Sequence, residues 1–165
     1  MELSRVVRHL LTTRRKLDRA FGPEARTAIE EAIAASEECH RGELRFAVES
    51  RLPTGAVLAG ETARERALEA FAHLGVWDTE ENSGILVYVL LADRRVEIVA
   101  DRGYRSGVTE EQWRAICAEM EASFRSGAFR EGAVTGVLGC ARHAAALFPS
   151  DGADPNELPD PVVFL

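Results

Sequence analysis

The stretch Ile85-Leu86-Val87-Tyr88-Val89-Leu90-Leu91-Ala92-Asp93-Arg94-Arg95-Val96-Glu97-Ile98-Val99-Ala100 decides the fold. Residues 85–92 carry no charge, the pattern of an inner strand covered by helices on both faces. Residues 95–100 alternate, with Val96, Ile98 and Ala100 between Arg95, Glu97 and Val99. Asp93-Arg94 reads as a tight two-residue turn, so the two segments form an antiparallel hairpin.

Working upstream, Gly75 to Gly84 (GVWDTEENSG) is an acidic connecting loop. A helix from about Thr62 to Leu74 places Ala63, Ala67, Phe71 and Leu74 inside, and Arg51 to Gly60, with Pro53, Gly55 and Gly60, reads as loop. Glu43 to Glu49 is a strand whose Leu44, Phe46 and Val48 alternate with Arg45, Ala47 and Glu49; the polar face suggests an outer strand. Before it, Pro23 opens a helix with Ala25, Ile29, Ala32, Ile33 and Ser36 on its inner stripe, stopped at Gly42. Leu3, Val6, Val7, Leu10 and Leu11 recur at helical spacing among basic residues, giving an amphipathic helix that ends before Gly22-Pro23.

Downstream, the loop Asp101 to Val108 runs into a capping box, Thr109 with Gln112. The next helix carries Trp113, Ile116, Cys117, Met120 and Phe124; after Gly127 the last carries Val134, Val137, Leu138, Ala141, Ala145 and Phe148. The tail from Pro149 reads as extended, with Val162 to Leu165 able to add a short edge strand. The expected fold is α/β, a three-layer α/β/α sandwich around a mixed sheet. Its parts are a basic amphipathic helix (1–22), an α/β domain (23–148) and an acidic, proline-rich tail (149–165).

Composition narrows the function. Across 165 residues, 46% are hydrophobic and 28% charged, ordinary for a soluble globular domain. The net charge is −7, but residues 1–26 carry +4. An acidic body argues against nucleic-acid binding, which needs a basic face. No run approaches membrane-spanning length and the N-terminus has no apolar signal region, so the chain is expected to be non-secreted and cytoplasmic. Cys39, Cys117 and Cys140 form neither a disulfide framework nor a zinc site, and Cys117 falls on a helical apolar stripe. His9, His40, His73 and His143 show no ligand spacing and are expected at the surface or at helix ends. The chain lacks the phosphate-binding, nucleophile-elbow and zinc-protease signatures. Cys39 and Arg45 match the C-x5-R spacing of cysteine phosphatases, but the cysteine closes a helix and the arginine lies in a strand, the reverse of what that chemistry needs.

The acidic loop is the candidate site. Asp78, Glu80 and Asn82 alternate as oxygen ligands do in a calcium loop, although Gly84 and Val89 break the EF-hand pattern. If the strand from Ile85 runs parallel to the first, Asp101, Arg102 and Tyr104 leave the third strand at the same edge.

The series from Gly42 to Phe148 resembles the TPM domain. The resemblance rests on Glu43 to Val48, Leu74-Gly75-Val76-Trp77-Asp78, Gly84-Ile85-Leu86-Val87, Asp93-Arg94-Arg95-Val96-Glu97-Ile98, Gly103-Tyr104 and Phe124 to Gly132, in the family's order. It implies an α/β/α sandwich, with members associated with weak acid phosphatase activity, divalent-cation binding and membrane-associated assembly or repair. Asp78 matches the family's acid after its first helix. The usual D-N-G stands here as Asn82-Ser83-Gly84, and G-Y-G-x-E as Gly103-Tyr104-Arg105-Ser106-Gly107, each losing an acid. The resemblance would bring a secretory leader and a membrane anchor, which this chain is expected to lack as a soluble, divergent branch.

The expectation is therefore a binding module, non-catalytic or weakly catalytic, acting on a protein partner or at the cytoplasmic face of the inner membrane through residues 1–21. The alternative is a metal-assisted phosphatase. A bound Ca2+ or Mg2+ would sit among Asp78, Glu80, Asn82 and Asp101, with Glu81, Arg94, Arg102 and Tyr104 as further pocket residues; no catalytic residue is assigned. The tight Gly22-Pro23 junction favours packing of the first helix on the domain, which would bury its leucines.

Overall fold

The computed structural model describes residues 2–150, 152 and 157–165. The reading of 151 and 153–156 as extended tail lies outside the described residues. The elements are α1 (Glu2–Leu11), α2 (Arg14–Ala20), α3 (Pro23–Glu37), β1 (Glu43–Glu49), α4 (Thr54–Leu58), α5 (Ala63–His73), β2 (Gly84–Leu90), β3 (Arg95–Ala100), α6 (Glu110–Arg125), α7 (Phe129–Leu147) and β4 (Val163–Phe164). A 3-10 turn spans Arg102–Tyr104.

The sheet order is β3-β2-β1-β4. β2 is an inner strand, parallel to β1 from Glu43↔Gly84 to Glu49↔Leu90 and antiparallel to β3. Every β2 residue is buried. Leu44, Phe46, Val48, Ile85, Val87 and Val89 pack beneath α2, α3, α6 and α7. Leu86, Tyr88 and Leu90 pack beneath α4 and α5 on the other face. The mixed α/β sandwich is thus as expected, with the tail supplying β4 parallel to β1.

Three local readings are corrected first. The hairpin turn takes four residues, Leu91 to Arg94, because β2 ends at Leu90, paired with Arg95; Arg94 adopts φ 55°. The 51–60 segment is not all loop, since Thr54–Leu58 makes a short helix that seats Val57 in the core. The N-terminal helix is two helices, broken where the Thr12 hydroxyl donates back to the Arg8 carbonyl and Thr13 takes an extended conformation before α2. Phe21, fully buried, then anchors α2 among Phe46, Phe124 and Phe129.

The largest correction concerns β1. It is not an outer strand: all seven residues are buried, and β4 covers its free side. The two glutamates of its polar face are paired internally. Glu49 accepts the Tyr88 hydroxyl at 2.6 Å and the Arg66 Nε at 2.9 Å. Glu43 accepts the amides of Glu157 and Leu158, tying the tail down. Charges that would be costly to bury unpaired thus become cross-links between layers.

The exposed edge of β3 is also managed. Arg64 donates to the Ile98 carbonyl at 2.6 Å, and Glu121 accepts the Val96 amide at 3.1 Å, so side chains occupy groups another strand would need. On the opposite face, α6 and α7 approach closely, since a Cβ at Gly136 would collide with the Met120 side chain. Leu138, assigned to the inner stripe of α7, points outward, while Cys140 and Ala144 fill that face.

The Glu49 cross-link has a measurable worth. Tyr88→Phe removes one charge-assisted hydrogen bond while keeping the ring, and should lower unfolding stability by about 1–3 kcal/mol. The midpoint of a urea titration at unchanged slope checks it; an unaltered midpoint would mean that the phenol contributes nothing.

Candidate functional site

The parallel pairing of β1 and β2 gives the molecule two chemically different ends. At the N-terminal end of these strands the acidic loop meets the Asp101–Val108 loop, as the topology predicts. Asn82, at φ 56°, accepts Arg102 Nε on its side-chain oxygen at 2.7 Å and the Gly103 amide on its carbonyl at 3.1 Å. A Cβ at Gly103 would meet that carbonyl at 2.6 Å, which explains the glycine. Tyr104 donates to the Ser83 carbonyl at 2.9 Å and stands edge-on to Trp113 and Phe148. Burial raises its phenol far above the usual range, so Tyr104 is a structural clamp rather than an acid.

The loop carboxylates are only partly occupied. Glu81 is held by Arg41 at 2.9 Å, and the Glu80 amide is met by the Glu157 carboxylate. Asp78 is exposed. Asp101 caps the Arg102 amide with Oδ1, and its buried Oδ2 has no hydrogen-bond partner among the described residues. Among the described residues no three His, Cys, Asp or Glu side chains converge as metal ligands. A cation at this end would compete with Arg102 for Asn82. Arg94, grouped with these residues by sequence, stands at the opposite end of the hairpin.

The other end lies where β1 and β2 finish and β3 begins, and its organiser is Asp93. Its carboxylate accepts Arg5 Nη2 at 2.7 Å and Arg5 Nε at 3.0 Å, and His9 Nε2 lies at 3.1 Å. His9 Nδ1 accepts the Leu52 amide, which can only donate, so the imidazole proton sits on Nε2 and points at Asp93. Arg5 Nη2 also reaches the Glu61 carbonyl at 2.6 Å. Burial would push the Asp93 carboxyl up, but hydrogen bonds from Arg5 and His9 outweigh it and hold the group below its ordinary value.

This clamp corrects two sequence readings. His9 and His40 are buried rather than at the surface, although His9 does stand at a helix end, in the last turn of α1. Helix α1 does pack on the domain, yet through its polar edge and Val6, leaving Leu3 78%, Val7 44%, Leu10 54% and Leu11 61% exposed. Sequence reasoning missed Asp93 and His9 as partners; the available signal was the i, i+4 spacing of Arg5 and His9, which puts two donors on one helix face. Neither Cys117 nor Cys140 reads as a nucleophile: Cys117 is half-buried with its thiol pushed up to about 12, and burial raises Cys140 further. Among the described residues, no helix is long and apolar enough to cross a membrane.

With this architecture in view, the family profile of the TPM domain matches residues 16–143, and the chain belongs to that family. The solution structure of the BA42 protein from the psychrophilic bacterium Bizionia argentinensis is similar at 27% identity, covering 86% of this chain and 93% of that one with a TM-score of 0.75. No curated protein matches the sequence. The family match begins after α1, so the helix held by Asp93 lies outside it.

The clamp predicts a selective loss. Asp93→Ala should free α1 while the body keeps its cooperative transition, at a cost of about 1–3 kcal/mol. Amide exchange over residues 3–11 should accelerate; unchanged protection there would refute the clamp. Because the native carboxyl is depressed, its contribution is present above the unfolded value and is lost only as pH falls through the lower native one.

Proposed function

We propose that this TPM-domain protein is a binding module, non-catalytic or at most weakly catalytic, that docks through α1 on the anionic cytoplasmic face of a membrane. The observation that carries this reading is the manner in which α1 is held. Its polar edge is spent on Asp93 and Leu52, and its apolar side chains Leu3, Val7, Leu10 and Leu11 face outward. Arg14, Arg15, Lys16 and Arg19 follow in exposed positions. An apolar stripe beside basic side chains is the composition of an interfacial helix, and each basic residue near an anionic surface is worth about 1 kcal/mol.

Co-sedimentation with phosphatidylserine-containing vesicles tests it. The full chain should pellet at low salt, release as salt rises, and fail to pellet as Leu3→Glu/Leu10→Glu or on phosphatidylcholine alone. A chain that stays in the supernatant at low salt would exclude membrane docking.

A second reading, metal-assisted phosphatase activity of the TPM type, is favoured by one observation, the buried Asp101 Oδ2 that lacks a partner. Asp78, Glu80, Asn82 and Asp101 would supply oxygens to Ca2+ or Mg2+, and a cation there would polarise a phosphoryl oxygen. Titration with calcium should then shift amides of residues 78–84 and 101–103. Silence in both loops at saturating calcium removes the site, whereas magnesium-dependent turnover of a phosphate monoester abolished by Asp78→Ala would overturn the binding reading.

A further inference from the structure

Beside the joint of α1 and α2 lies a cavity of about 460 Å³, within the range of small-molecule sites. Its apolar lining includes Ala20, Val89, Phe124 and Phe129, contributed by α2, β2, α6 and the start of α7. Its polar lining is almost wholly cationic: Arg8, Lys16, Arg19, Arg94 and Arg125, against one carboxylate, Glu121. Glu121 is already engaged. One oxygen accepts the Val96 amide at 3.1 Å and lies 3.7 Å from Arg95, and the other lies 3.8 Å from Arg125.

Five cations around one cavity are conspicuous in a chain of net charge −7. Arg8 reaches Asp93 at 3.4 Å and Arg125 lies 3.8 Å from Glu121, so the remaining three carry the excess. Lys16, Arg19 and Arg94 are exposed and have no carboxylate within ion-pair distance among the described residues. Arg94 is held at φ 55°, a left-handed conformation unfavourable for a non-glycine residue, and it lines both this cavity and the neighbouring basin that continues past Arg5, Arg64 and Arg95. The cavity also opens at the carboxyl end of β2, and open α/β sheets take ligands outside the carboxyl ends of their strands.

We infer that this cavity binds a single-chain amphiphilic anion, an oxyanion headgroup on an alkyl chain, with the chain on the apolar floor and the headgroup among Arg8, Lys16, Arg19, Arg94 and Arg125. The inference rests on the reading of this end as the working end, and deepens it by naming a ligand distinct from the bilayer that α1 would touch. An inorganic anion would leave the floor unused, and an uncharged lipid would leave the cations unpaired. Guanidinium groups suit phosphate and carboxylate because their paired N–H donors match two oxygens at once.

The probe is dodecyl phosphate, kept below its micelle-forming concentration and titrated into the full 15N-labelled chain, with inorganic phosphate and dodecanol as separate arms. Saturable one-to-one shifts are expected at residues 11–20, 89–94 and 124–129. Each control compound should bind at least about tenfold more weakly. The variant Lys16→Ala/Arg19→Ala/Arg94→Ala, altered only at exposed positions, should keep the native spectrum and bind dodecyl phosphate at least about tenfold more weakly. Leu3→Glu/Leu10→Glu, the vesicle-blind variant, altered outside the cavity lining, should retain shifts at residues 16–20, 89–94 and 124–129. Dodecyl phosphate shifts confined to Leu3, Val7 and Leu10, unaltered affinity in the triple variant, or equal binding of inorganic phosphate would each overturn the proposal. Vesicle binding without cavity shifts would defeat this inference alone, and cavity shifts without vesicle binding would defeat only membrane docking.

Discussion

The seven-residue parallel pairing of β1 with β2 sets the address of every functional group in the molecule. Because Glu43 faces Gly84, the residues before both strands meet at one end, where Arg41 reaches Glu81 and the Glu43 amide donates to the Ser83 carbonyl. Because Glu49 faces Leu90, the residues after both strands meet at the other, where Leu52 and Asp93 receive α1. A slip of one residue would turn the burial pattern of a strand inside out, and both faces of β2 are core. The two ends are therefore fixed relative to each other by apolar packing that takes no part in their chemistry.

The ends then diverge in electrostatic character. The acidic loop is partly self-satisfied: Arg41 answers Glu81, the Arg102 side chain answers Asn82, and the Arg102 amide answers one oxygen of Asp101. The opposite end carries an excess of guanidinium groups that Asp93, Glu97 and Glu121 do not balance. A protein that is acidic overall has thus concentrated its positive charge where a helix outside the family-matched segment is fastened. Asn82 where the family resemblance implies an acid, and Arg105 where it implies a glycine, weaken the acidic end in the same direction.

Much of this fold was legible in the sequence because its signals were local. The unbroken apolar run of β2, the alternation of β3 and the Thr109–Gln112 box each follow from a few neighbouring residues, and the box forms as read. The convergence of the two loops was legible too, since it follows from strand direction alone. The misreadings share a cause. Alternating charge in β1 looks the same whether the polar face meets water or a buried partner, and Tyr88 lies 39 residues from Glu49. The clamp on α1 was hidden in the same way, with Arg5 and Asp93 separated by 88 residues. Helical periodicity correctly marked α1 as amphipathic but could not tell which of its faces the domain would hold.

The side chains that close β3 bear on how copies of this protein can meet. Arg64 and Glu121 occupy a carbonyl and an amide that a neighbouring strand would otherwise pair with. At the opposite margin β4 extends for only two residues. Continuous addition of strands from one molecule to the next is thereby discouraged at both margins, even with a central strand as apolar as β2. Crowding such molecules together at high local concentration, as on a shared surface, would bring side chains rather than backbones into contact, and the sheets would stay separate.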